Sequence, residues 1–174
     1  FDTQVKHTLA SSEYNVRRAQ CETGVAVVLR HVGVVESLRD VTADMLDTYK
    51  GEMDEVVYRR CRYVVDENQR LLDACAALEK GDYVTFGQKM NGSHEGLSRQ
   101  YEVSCDELDF LADIGHRTDG VLGARMMGGG FGGCTINLVR AEAYDGYLAE
   151  ATDRFAHRFG HAPRVIEVNI SQGA

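Results

Sequence analysis

The chain has 174 residues, 44% hydrophobic and 26% charged, with a formal net charge of −8. This is the make-up of about one soluble globular domain, large enough to close a core. Such acidity argues against nucleic acid and anionic membrane as primary partners, since both require a basic face. It leaves room for a small phosphorylated ligand in a locally positive pocket.

In chain order, the residues through about Leu9 read as a strand. Tyr14, Cys21, Val25, Val28 and Val32 recur at helical spacing, which predicts a helix from Ser12 to about His31 with Ser11 or Ser12 as its cap. A second helix is predicted from about Glu52 to Leu78, its apolar stripe running Met53, Val57, Cys61, Val64, then Leu71, Cys75 and Leu78, interrupted by Asn68. A third carries Tyr83, Phe86, Met90, His94, Leu97 and Tyr101, with a possible break at Asn91–Gly92. "SCDE", Ser104 to Glu107, has capping-box spacing and predicts a helix start at Ser104. The periodicity then changes. Val121 to Met126 and "CTINLV", Cys134 to Val139, read as strands, the second by strict alternation. Tyr144, Leu148, Ala151, Phe155 and Phe159 mark a helix ended by Gly160 and Pro163, and "VIEVNI", Val165 to Ile170, alternates again. Helices followed by strand, glycine loop, strand, helix, strand predict an α+β fold: a small, mostly antiparallel sheet with helices packed on one face.

The five cysteines, Cys21, Cys61, Cys75, Cys105 and Cys134, form no CxxC pair, and most fall on apolar stripes. They are expected to be reduced core residues of a cytoplasmic protein. No closely spaced Cys/His pairs offer a zinc site, so no metal site is expected. No signal peptide or membrane span is visible; the longest apolar run near the start is Val25 to Leu29. The chain opens at "FDTQVKHTLASSEYN" without an initiator methionine, and it is expected to be part of a longer protein.

The segment "GARMMGGGFGGCTINLV", Gly123 to Val139, holds six glycines in its first eleven residues. Gly128, Gly130 and Gly133 satisfy GxGxxG, but that dinucleotide signature needs a following helix, and a strand follows here. No GxxxxGK[ST] phosphate loop occurs. A hairpin connection explains the position of the glycines but not five of them in six residues. A loop that lets a phosphate or substrate lie against bare backbone explains both.

This segment resembles the third signature of the GHMP small-molecule kinases in its galactokinase form. "VKHTLASSEYNVRRAQCE", Val5 to Glu22, is similar to the family's segment around its sugar-binding tyrosine, and "MNGSHEGLSRQYEVSCDELDFL", Met90 to Leu111, to its segment ahead of the third signature. The one departure noted is Asp106, where the family usually carries proline; both suit a first helical turn. The resemblance covers essentially the whole chain. It implies a GHMP kinase C-terminal domain over residues 1–174, ferredoxin-like in fold. It further implies an enzyme that transfers the γ-phosphoryl of MgATP to the C1 hydroxyl of galactose. ATP, magnesium and the catalytic base would be held mainly by an N-terminal half that this sequence lacks, so no catalytic residue is expected in this chain, and the chain alone is expected to be inactive. Tyr14 is implied to bind the sugar; Gly128, Gly129, Gly130, Gly132 and Gly133 are implied to form the active-site loop. His94 is read either as a core histidine or as a support for the site. Lys6, His7, Arg17 and Arg18 form a basic cluster that is solvated, paired with carboxylates or phosphate-steering, and Met126–Met127 are expected to pack. The alternatives are an N-acetylgalactosamine kinase, another sugar kinase of the group, or a galactokinase-like sugar sensor without catalysis.

Overall fold

The computed structural model describes residues 1–5 and 10–168. Among them are six α-helices, α1 (Ala10–Val32), α2 (Ala43–Thr48), α3 (Glu55–Glu79), α4 (Tyr83–Arg99), α5 (Asp106–Arg117) and α6 (Tyr144–Phe159), of which α4 and α5 pack on the strands β1 (Val121–Met126) and β2 (Thr135–Val139). Residues 6–9 of the expected first strand, the side chains of Ser11 and Ser12, and residues 169–170 of the expected last strand lie outside the described residues.

β1 and β2 pair antiparallel, Met126 opposite Thr135 and Ala124 opposite Asn137. Isolated bridges widen this ribbon. Asp2 pairs antiparallel with both Cys134 and Arg164. The Thr135 N–H donates to the Phe1 carbonyl at 2.8 Å and the Asp2 N–H to Arg164 at 2.8 Å. The lateral order is therefore β1, β2, residues 1–3, Arg164, with every contact antiparallel. Residues 165–168, the described part of the expected last strand, form no strand, and the pairing falls on Arg164 just before them.

Three apolar clusters hold the elements together. One joins α1, α2 and α3 through Val28, Leu46, Val57 and Cys61. A second, Tyr63, Leu97, Val103, Leu108 and Met126, lies beneath the glycine loop, with Phe131 packed against it. The third joins α5 to α6 through Leu111, Ile114, Tyr147, Ala151 and Phe155.

Several local expectations change. α4 runs through Asn91–Gly92 without a break. The capping box moves by one residue: the cap is Cys105, with no side-chain cap bond, and the helix begins at Asp106. The stripe of α3 beyond Asn68 does not face the core, because Leu71 is 62% exposed, Leu78 49%, and Cys75 is exposed. The Asn68 amide donates to the Leu38 carbonyl at 3.3 Å, near the end of the layer in which α1 and α2 cover α3. Past that point α3 borders α4 through ion pairs such as Lys89–Asp73. The helix α2, which Thr42 caps by accepting the Met45 N–H, had no counterpart in the sequence reading.

Candidate active site

The glycine loop connects β1 to β2 and closes on itself where the Met127 N–H donates to the Cys134 carbonyl at 3.0 Å. Its glycines serve two different purposes. Gly130 has φ +88°, and a Cβ there would sit 2.1 Å from the Val103 carbonyl oxygen. At Gly132 a Cβ would meet the Val5 carbonyl oxygen at 2.8 Å. Both are required by this chain's own packing. Around Gly128, Gly129 and Gly133 no atom of the described residues lies within 4 Å of such a Cβ, and Gly129 also lacks a positive φ. The outer side of the loop is thus bare main chain facing open space.

The inner side of the loop rests on the turn at 101–103. The Phe131 N–H donates to the Val103 carbonyl at 2.6 Å. Phe131 and Glu102 both hold left-handed conformations, φ 61° and 58°, which cost about 1–2 kcal/mol per non-glycine residue. Such strain persists only where the surroundings overdetermine it, and here three arginines do so. Arg17 of α1 is buried. Its Nε donates to the Tyr101 carbonyl at 2.8 Å, its Nη2 to the Glu102 carbonyl at 2.7 Å and its Nη1 to Glu13 at 2.9 Å. Its guanidinium also lies 5.6 Å from the Phe131 ring centroid. Arg59 and Arg60 of α3 grip the Glu102 carboxylate at 2.8 and 2.9 Å. The hydrogen bond from Arg60, aided by the charge of Arg59, holds that carboxyl below the usual range.

Tyr14 stands on α1 one turn before Arg17 and is 60% exposed. It therefore does not head a buried stripe. It lies at the rim of a groove of about 490 Å³ whose wall includes Cys21, Val25, Leu38 and Tyr101. Through Arg17 the same helix is bonded to the turn beneath the glycine loop, so Tyr14 and the loop share one anchor. Lys6 and His7 of the expected basic cluster lie outside the described residues. Arg17 is fully engaged, and exposed Arg18 pairs with Glu22 at 2.9 Å, so neither presents a free cation. Met126 is buried, whereas Met127 is 48% exposed.

His94 is buried on α4. Its Nδ1 accepts the Met126 N–H at 3.1 Å, and its Nε2 lies 3.2 Å from Asp109. An accepting Nδ1 places the ring hydrogen on Nε2, directed at the carboxylate. Burial pushes the Asp109 carboxyl up, but hydrogen bonds from His94 and Ser98 outweigh it and hold it below its ordinary value. Beside His94, the Asn91 Oδ1 accepts the Ala124 N–H and the His116 Nε2 meets the Ala124 carbonyl, each at 2.8 Å. Three side chains thus satisfy the edge of β1 that β2 leaves open, and His94 holds the last strand residue before the loop. Asn91 and His116 were missed in the sequence. Asn91 stands three residues before His94, on the same helix face, and that spacing was the available signal.

Among the described residues no group of three or more His, Cys, Asp or Glu side chains is placed to hold a metal ion.

The model of the family "GHMP kinases C terminal" matches residues 74–153, from the last turns of α3 to the middle of α6. A galactokinase of Clostridium beijerinckii is 38% identical over 99% of this chain and 44% of its own length. A galactokinase of Bos taurus is 48% identical over 82% of this chain and 35% of its own. The crystal structure of Lactococcus lactis galactokinase complexed with galactose superposes with a TM-score of 0.86 at 32% identity, over 92% of this chain and 42% of that one. Residues 74–153 thus carry the C-terminal domain of the GHMP kinases. Within that class nearly the whole chain is similar to galactokinases, and it spans less than half the length of these relatives.

Proposed function

We propose that residues 1–174 work as the C-terminal domain of a longer galactokinase, which transfers the γ-phosphoryl of MgATP to the C1 hydroxyl of galactose. The observation that carries this reading is a glycine loop with one side locked onto its own chain and the other bare, tied through Arg17 to the helix that bears Tyr14. Phosphoryl transfer depends mainly on positioning and on stabilising charge around the moving group. Backbone at Gly128 and Gly129 lets phosphate oxygens approach without meeting a side chain, and N–H groups there can face an anion. The Tyr14 phenol, a donor and acceptor on an apolar ring, hydrogen-bonds a sugar hydroxyl. His94, oriented by Asp109, fixes Met126 and with it the take-off point of the loop. In this reading the general base and most nucleotide contacts come from residues beyond these 174. In the same reading magnesium is held mainly by those residues too. The free cysteines support a cytoplasmic setting, where thiols stay reduced. No helix is long and apolar enough to cross a membrane among the described residues.

The test is a phosphoryl-transfer assay of the complete polypeptide with MgATP and either galactose or N-acetylgalactosamine. Expected are galactose 1-phosphate, a higher kcat/KM for galactose, and no turnover by residues 1–174 alone. Tyr14→Phe should raise KM for galactose more than KM for ATP. A folded full-length protein that phosphorylates neither sugar would overturn the proposal, and an unchanged KM for galactose would remove Tyr14 from the site.

A further inference from the structure

α1 and α3 pack closely where Gly24 of α1 meets Cys61 of α3. A Cβ at Gly24 of α1 would lie 2.2 Å from the Cys61 Sγ of α3, so the bare backbone of α1 is what admits that sulfur. The Cys61 thiol donates to the carbonyl oxygen of Gln20, the residue before Cys21, at 3.7 Å, and Cys21 packs against the buried cluster that contains Cys61. Cys21 is half-buried, 3.7 Å from the Tyr101 hydroxyl, and forms part of the wall of the 490 Å³ groove. Cys61 is fully buried. One sulfur thus meets the groove and its neighbour waits behind it, the arrangement of an attacking and a resolving cysteine.

We propose that Cys21 and Cys61 form a peroxide-oxidisable pair that closes an intrachain disulfide between α1 and α3. The Cys21 thiolate attacks the O–O bond of a hydroperoxide entering the groove. A sulfur–oxygen bond forms and hydroxide leaves, so sulfur loses two electrons and the peroxide gains them. The Cys61 sulfur then displaces the new hydroxyl from Cys21, forming the S–S bond, and the Cys61 proton departs with that hydroxyl as water. The neighbouring Cys61 sulfur holds the Cys21 thiol below the ordinary thiol range; burial opposes it, while bonding to Tyr101 and the charge of Arg60 help. The same contact and burial push Cys61 up. This assigns the attack to Cys21 and the reserve proton to Cys61. The proposal does not depend on the sugar-kinase reading, and its test uses no kinase assay.

The 174-residue chain is exposed to hydrogen peroxide near neutral pH, blocked with N-ethylmaleimide, digested without reductant and examined by mass spectrometry. Expected is the tryptic peptide Ala19–Arg30 joined to the dipeptide Cys61–Arg62, with maleimide labelling at both positions lost together and regained after dithiothreitol. Cys61→Ala should leave Cys21 as a sulfenic acid that dimedone captures, which keeps the test informative if a serine at the buried position disturbs folding. Cys21→Ser should abolish the link. Unchanged labelling of Cys21 after peroxide, or its linkage mainly to exposed Cys75, would overturn the proposal.

Discussion

Gly129 and Gly130 are neighbours with opposite physical demands. Gly130 needs a left-handed backbone and has a carbonyl oxygen where a side chain would go; Gly129 needs neither concession from its surroundings. Gly130→Ala should cost about 1–2 kcal/mol for its φ and about 1–3 kcal/mol for overpacking against Val103. That corresponds to a Tm lower by roughly 4–20 °C for a chain of this size. Gly129→Ala should leave Tm within about 2 °C while lowering kcat of the complete kinase. Thermal unfolding of the two variants separates the roles: equal losses of stability would mean that the loop is packing throughout. The sequence showed that glycine was concentrated here, but not that Gly130 and Gly132 answer to Val103 and Val5. Those partners lie 27 and 127 positions away, and no local pattern encodes them.

At the scale of elements, periodicity was a good guide wherever one face of an element is covered. α6 lies where helical spacing put it, β1 matches the strand expected ahead of the glycine loop, and β2, read by alternation, begins one residue later than expected. It misled where cover runs out. Leu71, Cys75 and Leu78 keep a perfect helical stripe, yet the neighbouring layer stops near Asn68. At α5 the Ser–x–x–Glu spacing was right in kind and displaced by one residue, since Cys105 takes the cap. Short α2 carries too few turns for a periodic signal. The brace between helices and loop was also invisible, because Arg17 stood out only as one of a local basic cluster and nothing in the sequence singled out Arg59 or Arg60 as partners of Glu102. The brace makes a definite prediction. Arg17→Ala removes both carbonyl contacts at 101–102, so the Phe131 amide should exchange with deuterium at least about tenfold faster, a loss of about 1.4 kcal/mol in protection. Amides in α6 should not change. Arg17→Lys should fail to restore protection, because one ammonium cannot reproduce the planar fork. Uniform acceleration across the chain would instead indicate general destabilisation.

For the molecule as a whole, three apolar clusters carry the stability while the distal face of α3 contributes little. Phe155→Ala in the α5–α6 cluster should cost about 3–5 kcal/mol, whereas Leu71→Ser on exposed α3 should stay within about 0.5 kcal/mol. Denaturant titrations of both variants check this, and a large loss at Leu71 would show that the α3 face is covered in solution. The sheet has a further consequence for how the protein is made. Its third lane is laid by residues 1–3 and its fourth by Arg164, so the partners of Asp2 stand at positions 134 and 164, far along the chain from it. A ribosome must deliver Arg164 before that ribbon can be completed. Until then residues 1–3 wait without their neighbours while the helices condense around them. A pause in translation between Cys134 and Arg164 leaves a helical, sticky intermediate, the kind of nascent species that chaperones exist to shield.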